Sequence, residues 1–280
     1  EYVLKEIDRF FARPDSNLPP ASIHQAVRMQ SAGFDGAGPD EMQAHLLRFE
    51  RRYRVQAALR VVRSHIRWPT RTATMTPSDK SDWLVRPYGI ALRTLTQEQT
   101  DAVLACVKRL RGFANATPMV LAAAFRAIRR VCPHPTNGRT IFQTDVPLNL
   151  RPPGREQPIF RNFMSFIQLT ARGDELADRD EATTLLNTQM RDQIRQAIDL
   201  GNLQMMAVMA PHARMLYRHI LTRMKNQPFT LGFGFLGPVS AGLERFCGQD
   251  VDRLYSLNSA IFPPAITVQA NQFRRRLNIM

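Results

Sequence analysis

The chain has 280 residues, of which 44% are apolar and 22% charged, the proportions of an ordinary globular protein with room for one large domain or two modest ones. No apolar run reaches the ~18 residues of a membrane-crossing helix, and Glu1-Tyr2-Val3-Leu4-Lys5-Glu6 has neither the charged nor the apolar region of a secretion signal. The net charge of +14 is carried almost wholly by arginine, since only Lys5, Lys80, Lys108 and Lys225 are lysines.

The densest basic patch, RFERRYRVQAALRVVRSHIRWPTR, holds Arg51, Arg52, Arg54, Arg60, Arg63, Arg67 and Arg71. Such a patch attracts anions: nucleic acid, a phosphorylated cofactor or an acidic protein. The plainer reading is a solvated helix face. The patch lacks the interleaved aromatics of a single-strand binder and matches no groove-reading motif, so nucleic acid is not favoured. Cys106, Cys132 and Cys247 are widely spaced and form no metal pattern, which points to a reduced, cytoplasmic setting.

In chain order, residues 1–12 have helical spacing, ended by Pro14, Pro19 and Pro20, and residues 32–40 are turn-rich. Residues 40–66 resume an amphipathic helical pattern. The segment 87–95, PYGIALRTL, reads as a short strand. Thr96-Gln97-Glu98-Gln99 matches a capping box opening a helix that Gly112 closes. Thr117-Pro118 places an N-cap before a proline at the first helical position, and the following MVLAAAFRAI is apolar all round, as in a buried helix.

Residues 142–153, FQTDVPLNLRPP, then read as a strand with two unlike faces. Val146, Leu148 and Leu150 point to a core; Asp145, Pro147, Asn149 and Arg151 point the other way. An acid, an amide and a guanidinium on one face are either paired, as in an Asp145–Arg151 ion pair, or line a polar channel. RNFMSFIQLTA (161–171) is a second strand. Residues 178–198 form a helix with Ala182, Leu186, Met190, Ile194 and Ile198 on one stripe, and Pro211 opens another. In 229–239, FTLGFGFLGPV, Phe229, Leu231, Phe233 and Phe235 share one face while Gly232 and Gly234 share the other. Two glycines on one strand face mark a close approach, by packing or by a thin ligand. VDRLYSL (251–257) and a hairpin over 265–280, turning near Asn271-Gln272, complete the pattern. Strands alternating with helices predict a mixed α/β layer sandwich.

This order of segments resembles the second half of the CoA-dependent acyltransferase superfamily, which includes chloramphenicol acetyltransferase, peptide-synthetase condensation domains, alcohol acetyltransferases and wax ester synthases. VPLNLRP is similar to the P-V-S-x-R stretch of wax-ester-type enzymes, RNFMSFIQL to the G-N strand with Arg161 in the glycine's place, and FLGP to the N-x-x-G-P turn. The likeness covers roughly residues 85–280 and rests on order and spacing. It implies a mixed-sheet α/β sandwich of the chloramphenicol-acetyltransferase-like type, mainly one lobe plus part of the other. Residues 1–84 would be the helical remainder of the first lobe and the crossover, and 85–280 the second lobe.

The resemblance further implies transfer of an acyl group from a CoA or pantetheinyl thioester to a small alcohol or amine. Acyl-CoA or acyl-phosphopantetheine is then a co-substrate, and no cofactor is bound permanently. A tunnel between two lobes would be lined from this side by Asn149, Arg151, Asn162, Ser165, Gly232 and Gly234. Asn162 and Ser165 have opposite parity on one strand, and Ser165 is the better donor. The superfamily's catalytic HHxxxDG is absent: His24, His45, His65, His134, His212 and His219 stand in other contexts, and the spacing of His212 and His219 is not that of a metal pair. Because EYVLKEIDRFF resembles the helix that follows HHxxxDG, the general base is expected upstream of residue 1, with the missing N-terminal lobe as partner. A degenerate homologue, serving as a non-catalytic module that docks a carrier protein or partner chain, is the competing reading. Strands 142–153 and 229–239 lying in separate sheets with no cleft beside them would be fatal to the whole assignment.

Overall fold

Thr96 and Gln99 form the capping box that their spacing requires. The Thr96 amide donates to Gln99 Oε1 at 3.0 Å, and the Gln99 amide donates to Thr96 Oγ1 at 3.2 Å. The structure is a computed structural model that describes residues 45–66, 72–73, 89–109, 116–132, 140–150, 164–209, 229–239, 244–246, 248–256 and 266–280. The helices anticipated at 1–12 and after Pro211, the linker at 32–40, the closing Gly112, and Cys247 lie outside the described residues.

In order, the elements are α1 (Arg51–Ile66), β1 (Arg93–Thr94), α2 (Gln97–Arg109), α3 (Thr117–Val131), β2 (Ile141–Asn149), β3 (Met164–Arg172), α4 (Arg179–Arg195), α5 (Ile198–Met209), β4 (Gly232–Pro238), β5 (Arg245–Phe246), β6 (Gln249–Asp250), β7 (Thr267–Phe273) and β8 (Arg276–Ile279). β2 and β3 pair antiparallel along their whole length; a second sheet runs β1-β8-β7-β4, with β4 parallel to β7; β5 and β6 form a small ribbon.

β2 and β4 therefore belong to different sheets, but they touch where both begin. The Thr230 amide donates to Gln143 O at 2.7 Å, the Gln143 amide donates to Thr230 Oγ1 at 3.0 Å, and Thr144 Oγ1 donates to Leu231 O at 2.7 Å. Beyond that seam β4 pairs with β7. Since Ile141 and Gln143 turn their backbone groups away from β3, the alternation turns Asp145 and Pro147 the same way. Pro147 is tolerated in mid-strand because the N–H it lacks would face that outer side.

Both sheets turn their apolar rows to the same helices. Phe142, Val146, Ile167 and Leu169 from one sheet and Phe233, Ala270 and Leu277 from the other join Val120, Leu121 and Phe125 of α3 and Leu186 and Met190 of α4 in a single core cluster. A smaller cluster, Leu46, Ala57, Ala197, Leu200 and Leu203, holds α1 against α5. Gly201 makes that crossing possible, because a Cβ there would lie 2.6 Å from the Ala57 carbonyl carbon. Two arginines of the basic patch are used here structurally: Arg54 Nη1 donates to Gln204 Oε1 at 3.1 Å and Arg60 Nη1 to Gln196 O at 2.8 Å.

Several expectations need correction. Thr117 is the first residue of α3 and Ala116 is its N-cap, with no side-chain cap bond. α3 is not buried all round, since Ala123 and Ala127 are exposed; alanine does not distinguish core from surface. The stripe drawn over 178–198 breaks at Ala197, whose φ of 55° ends the turn after α4. Ile194 is consequently 44% exposed, and Ile198 opens α5, which the periodicity merged into its neighbour. Of the described residues 89–95 only Arg93–Thr94 is strand, and 251–256 is irregular. The last hairpin turns at Arg274-Arg275, both with positive φ, because Asn271 is buried opposite Asn278 rather than free to turn.

Candidate functional site

Opposite the helices, the two sheets present a row that is polar and largely covered. On β2 it comprises Gln143, Asp145, Pro147 and Asn149; on β3, Gln168 and Thr170 stand across from them. On the other sheet it comprises Gly232 and Gly234, then Thr267, Gln269 and Asn271, then Asn278, then Thr94. Gln143, Gln269, Asn271 and Asn278 are buried. Buried polar groups are tolerated when they bond one another, and here a chain of hydrogen bonds crosses three strands. Thr94 Oγ1 donates to Asn278 Oδ1 at 2.8 Å, so the 2.7 Å contact between Thr94 and Tyr255 must be donated by the phenol. Asn278 Nδ2 donates to Asn271 Oδ1 at 2.9 Å and to Leu254 O at 3.2 Å. The chain ends at Asn271 Nδ2, which is buried with no partner among the described residues.

Asp145 is the one strongly perturbed carboxyl in this row. Burial pushes it up to about 7, against a side-chain hydrogen bond from Gln168 that pulls it down. A carboxyl poised there changes protonation at neutral pH, which suits it to hold or release a proton. Nothing in the alternation of 142–150 distinguishes it from Asn149, because desolvation comes from what packs over a residue.

The residues singled out from the sequence are scattered rather than convergent. Asn149 is exposed at the end of β2, opposite Met164. Arg151 and Asn162 lie outside the described residues, so the Asp145–Arg151 pair does too. Ser165 is 1% exposed on the helix-facing side, where its hydroxyl donates to Asp199 O at 2.6 Å and its one proton is engaged. Gly232 and Gly234 do lie on the polar row, and their neighbours explain them. A Cβ on Gly234 would meet the Gln269 amide, 2.7 Å from Nε2, and one on Gly232 would come within 3.0 Å of Thr267 Oγ1. The close approach inferred for these glycines is therefore made by side chains of β7. His45 packs edge-on to Phe49 at 5.5 Å; His24, His134, His212, His219 and the His65 side chain lie outside the described residues. Among the described residues no three of His, Cys, Asp or Glu come together as a metal site, and no helix is long and apolar enough to cross a membrane.

No protein-family model and no curated protein sequence matches the chain. Solved structures do. The cyclization–docking bidomain of the peptide synthetase EpoB from Sorangium cellulosum superimposes with a TM-score of 0.54 at 15% identity, over 81% of this chain and 43% of that one. Its rhombohedral crystal form gives 0.51 at 14% identity, over 88% and 47%. The nonribosomal peptide synthetase FmoA3 gives 0.53 at 17% identity, over 88% of this chain and 24% of that one. The chain thus spans less than half the length of each. At these identities what is shared is the fold, and it is the mixed α/β fold to which the order of sequence motifs points.

Proposed function

We propose that the chain forms one lobe of an acyltransferase that moves an acyl group from a CoA or pantetheinyl thioester to an alcohol or amine. The observation that carries this is the polar row across a helix-backed mixed sheet, on a fold shared with a peptide-synthetase cyclization bidomain. On this reading the row faces the substrates, and an imidazole supplied by a second lobe deprotonates the acceptor, which then attacks the thioester carbonyl. The thiolate leaves and takes up a proton. Asp145, with its carboxyl near 7, is the group of this lobe suited to exchanging that proton or to orienting the base.

The test is thiol release from acyl-CoA and from an acyl-carrier protein, with a panel of amines and alcohols, using the full gene product that carries this chain. Release above the uncatalysed rate, dependent on one acceptor class, is expected. Its absence with every pair would leave the second reading, a non-catalytic module that binds a carrier or partner chain. That reading is favoured by Ser165, whose hydroxyl is committed to Asp199 O instead of a substrate.

A further inference from the structure

A cleft of about 530 Å³ runs along β1, lined on one side by the consecutive residues Leu92 to Gln97 and on the other by Arg253, Tyr255 and Arg276. Its position follows from strand geometry. Leu95 donates its amide to Leu277 O at 2.9 Å, so Arg93 and Leu95 turn their backbone groups to β8 while Leu92 and Thr94 turn theirs outward. Among the described residues no strand pairs with that outward edge, and Leu92 to Gln97 along it line the cleft.

Three arginines are among the residues that line this space. Arg93 and Arg276 have no ion pair or hydrogen bond among the described residues; Arg253 is half-neutralised by Asp252, with Nε to Oδ2 at 3.2 Å. The first turn of the 13-residue helix α2 adds backbone donors. The capping box uses the Gln99 amide and Thr100 bonds back to Thr96 O, which leaves the amides of Gln97 and Glu98 without helical partners. Glu98 is the acid on that turn and Asp252 the acid on the opposite wall, so cations outnumber anions. The walls are also fixed in place. Tyr255 is bonded to Thr94, and Leu254 O accepts from Asn278 Nδ2, which ties the 254–255 segment to both β1 and β8. Guanidiniums on preset walls, with the Thr94 and Tyr255 hydroxyl protons already committed, recognise an acceptor-only, multiply charged group.

We propose that this cleft binds a phosphate monoester between Arg93, Arg253 and Arg276, beside the first turn of α2. It does not rest on the acyl-transfer reading: Thr94 on its wall belongs to the polar row, but Arg93, Arg253 and Arg276 are given no part in that chemistry. The test is calorimetric titration of the 280-residue chain with inorganic phosphate and with glycerol 3-phosphate at physiological salt. Saturable one-to-one binding is expected, weakened about tenfold by Arg93→Gln or Arg276→Gln and unchanged by Arg52→Gln or Arg63→Gln on α1. Phosphate-induced amide shifts should cluster at Leu92–Gln97 and Arg253–Tyr255. Non-saturating heats, equal losses from the α1 variants, or equally tight binding of acetate would overturn it, since each is what a diffuse charge of +14 would give.

Discussion

The two outer edges of the sheets are finished in opposite ways. The edge of β3 is sealed by helix side chains that imitate a neighbouring strand. Gln193 accepts from the Gln168 amide at 3.1 Å and donates back to Gln168 O; Gln189 accepts from the Thr170 amide at 3.0 Å and donates to Thr170 O at 2.8 Å. Asn202 Nδ2 extends the series to Phe166 O at 2.7 Å, and Glu175 takes the Arg172 amide at 2.7 Å. Residues 189 and 193 stand one helical turn apart, about 6 Å, close to the spacing of alternate strand residues. Among the described residues β1 has no such cover, and beside its edge Ile90 and Leu92 are 65% and 50% exposed. A sheet end that is sealed contributes stability and resists pairing with other chains. One left open and rimmed with arginine is a place where something can bind.

The comparison breaks most severely if the seal is removed. Gln189→Leu with Gln193→Leu would strand two amides and two carbonyls of β3. A loss of about 4 kcal/mol is expected, given 1–3 kcal/mol for each unsatisfied group and partial rescue by water. Denaturant unfolding measures the loss, and light scattering should show the bared edge self-associating. An unchanged midpoint would mean that the amide ladder is ornamental.

A second break comes from the helix that carries Asn202. Gly201→Ala puts a methyl against the Ala57 backbone of α1, which cannot move without shifting the whole helix. About 3 kcal/mol of destabilisation is expected, at the upper end for overpacking. Gly234→Ala should cost less, because the group it meets is the mobile end of Gln269.

How much of this was legible beforehand depends on the range of the interactions. The capping box at Thr96 and the two strands expected at 142–153 and 161–171 rest on local spacing; the box forms as written, and strands are found at 141–149 and 164–172, with Leu150 already outside the first. The split between α4 and α5 was not legible, because Ala197 at positive φ carries no residue-type signal of the kind Gly or Asn would. The hairpin misled for the converse reason: Asn271 looks like a turn residue until it is found bonded to Asn278. Of the site, Gly232 and Gly234 could be placed on a polar face by alternation alone. The perturbed Asp145 and the Thr94–Asn278–Asn271 chain depend on partners up to 184 residues away, which periodicity cannot supply.

Between the two edges, Asp145 tests whether the polar row carries a real electrostatic cost. Its folded carboxyl binds a proton more tightly than the unfolded chain does, so ionisation opposes folding as pH rises from about 4 to about 7 and is constant above. Asp145→Asn should therefore gain about 2 kcal/mol over the native chain at pH 8 and little near pH 4, discounting the shift for partial solvent access. Paired unfolding curves at pH 4.5 and 8 decide it. A pH-independent difference would mean that the carboxyl is solvated in the folded chain.

The mildest change in stability should sharpen the contrast most. Thr94→Val removes the hydroxyl that joins Tyr255 to Asn278, leaving Asn278 Oδ1 short of a donor while Tyr255 can turn to water. About 1 kcal/mol is the expected cost, since one neutral hydrogen bond is lost in a buried setting and the other is replaced. The cleft wall is freed, however, and Arg253 with it, so phosphate affinity should fall severalfold although no guanidinium has been touched. The sealed edge would then be an element whose loss is read in unfolding, and the open edge one whose loss is read in binding. If Thr94→Val costs stability as severely as the glutamine pair and leaves phosphate binding intact, β1 is a structural margin and the two edges differ only in how they are closed.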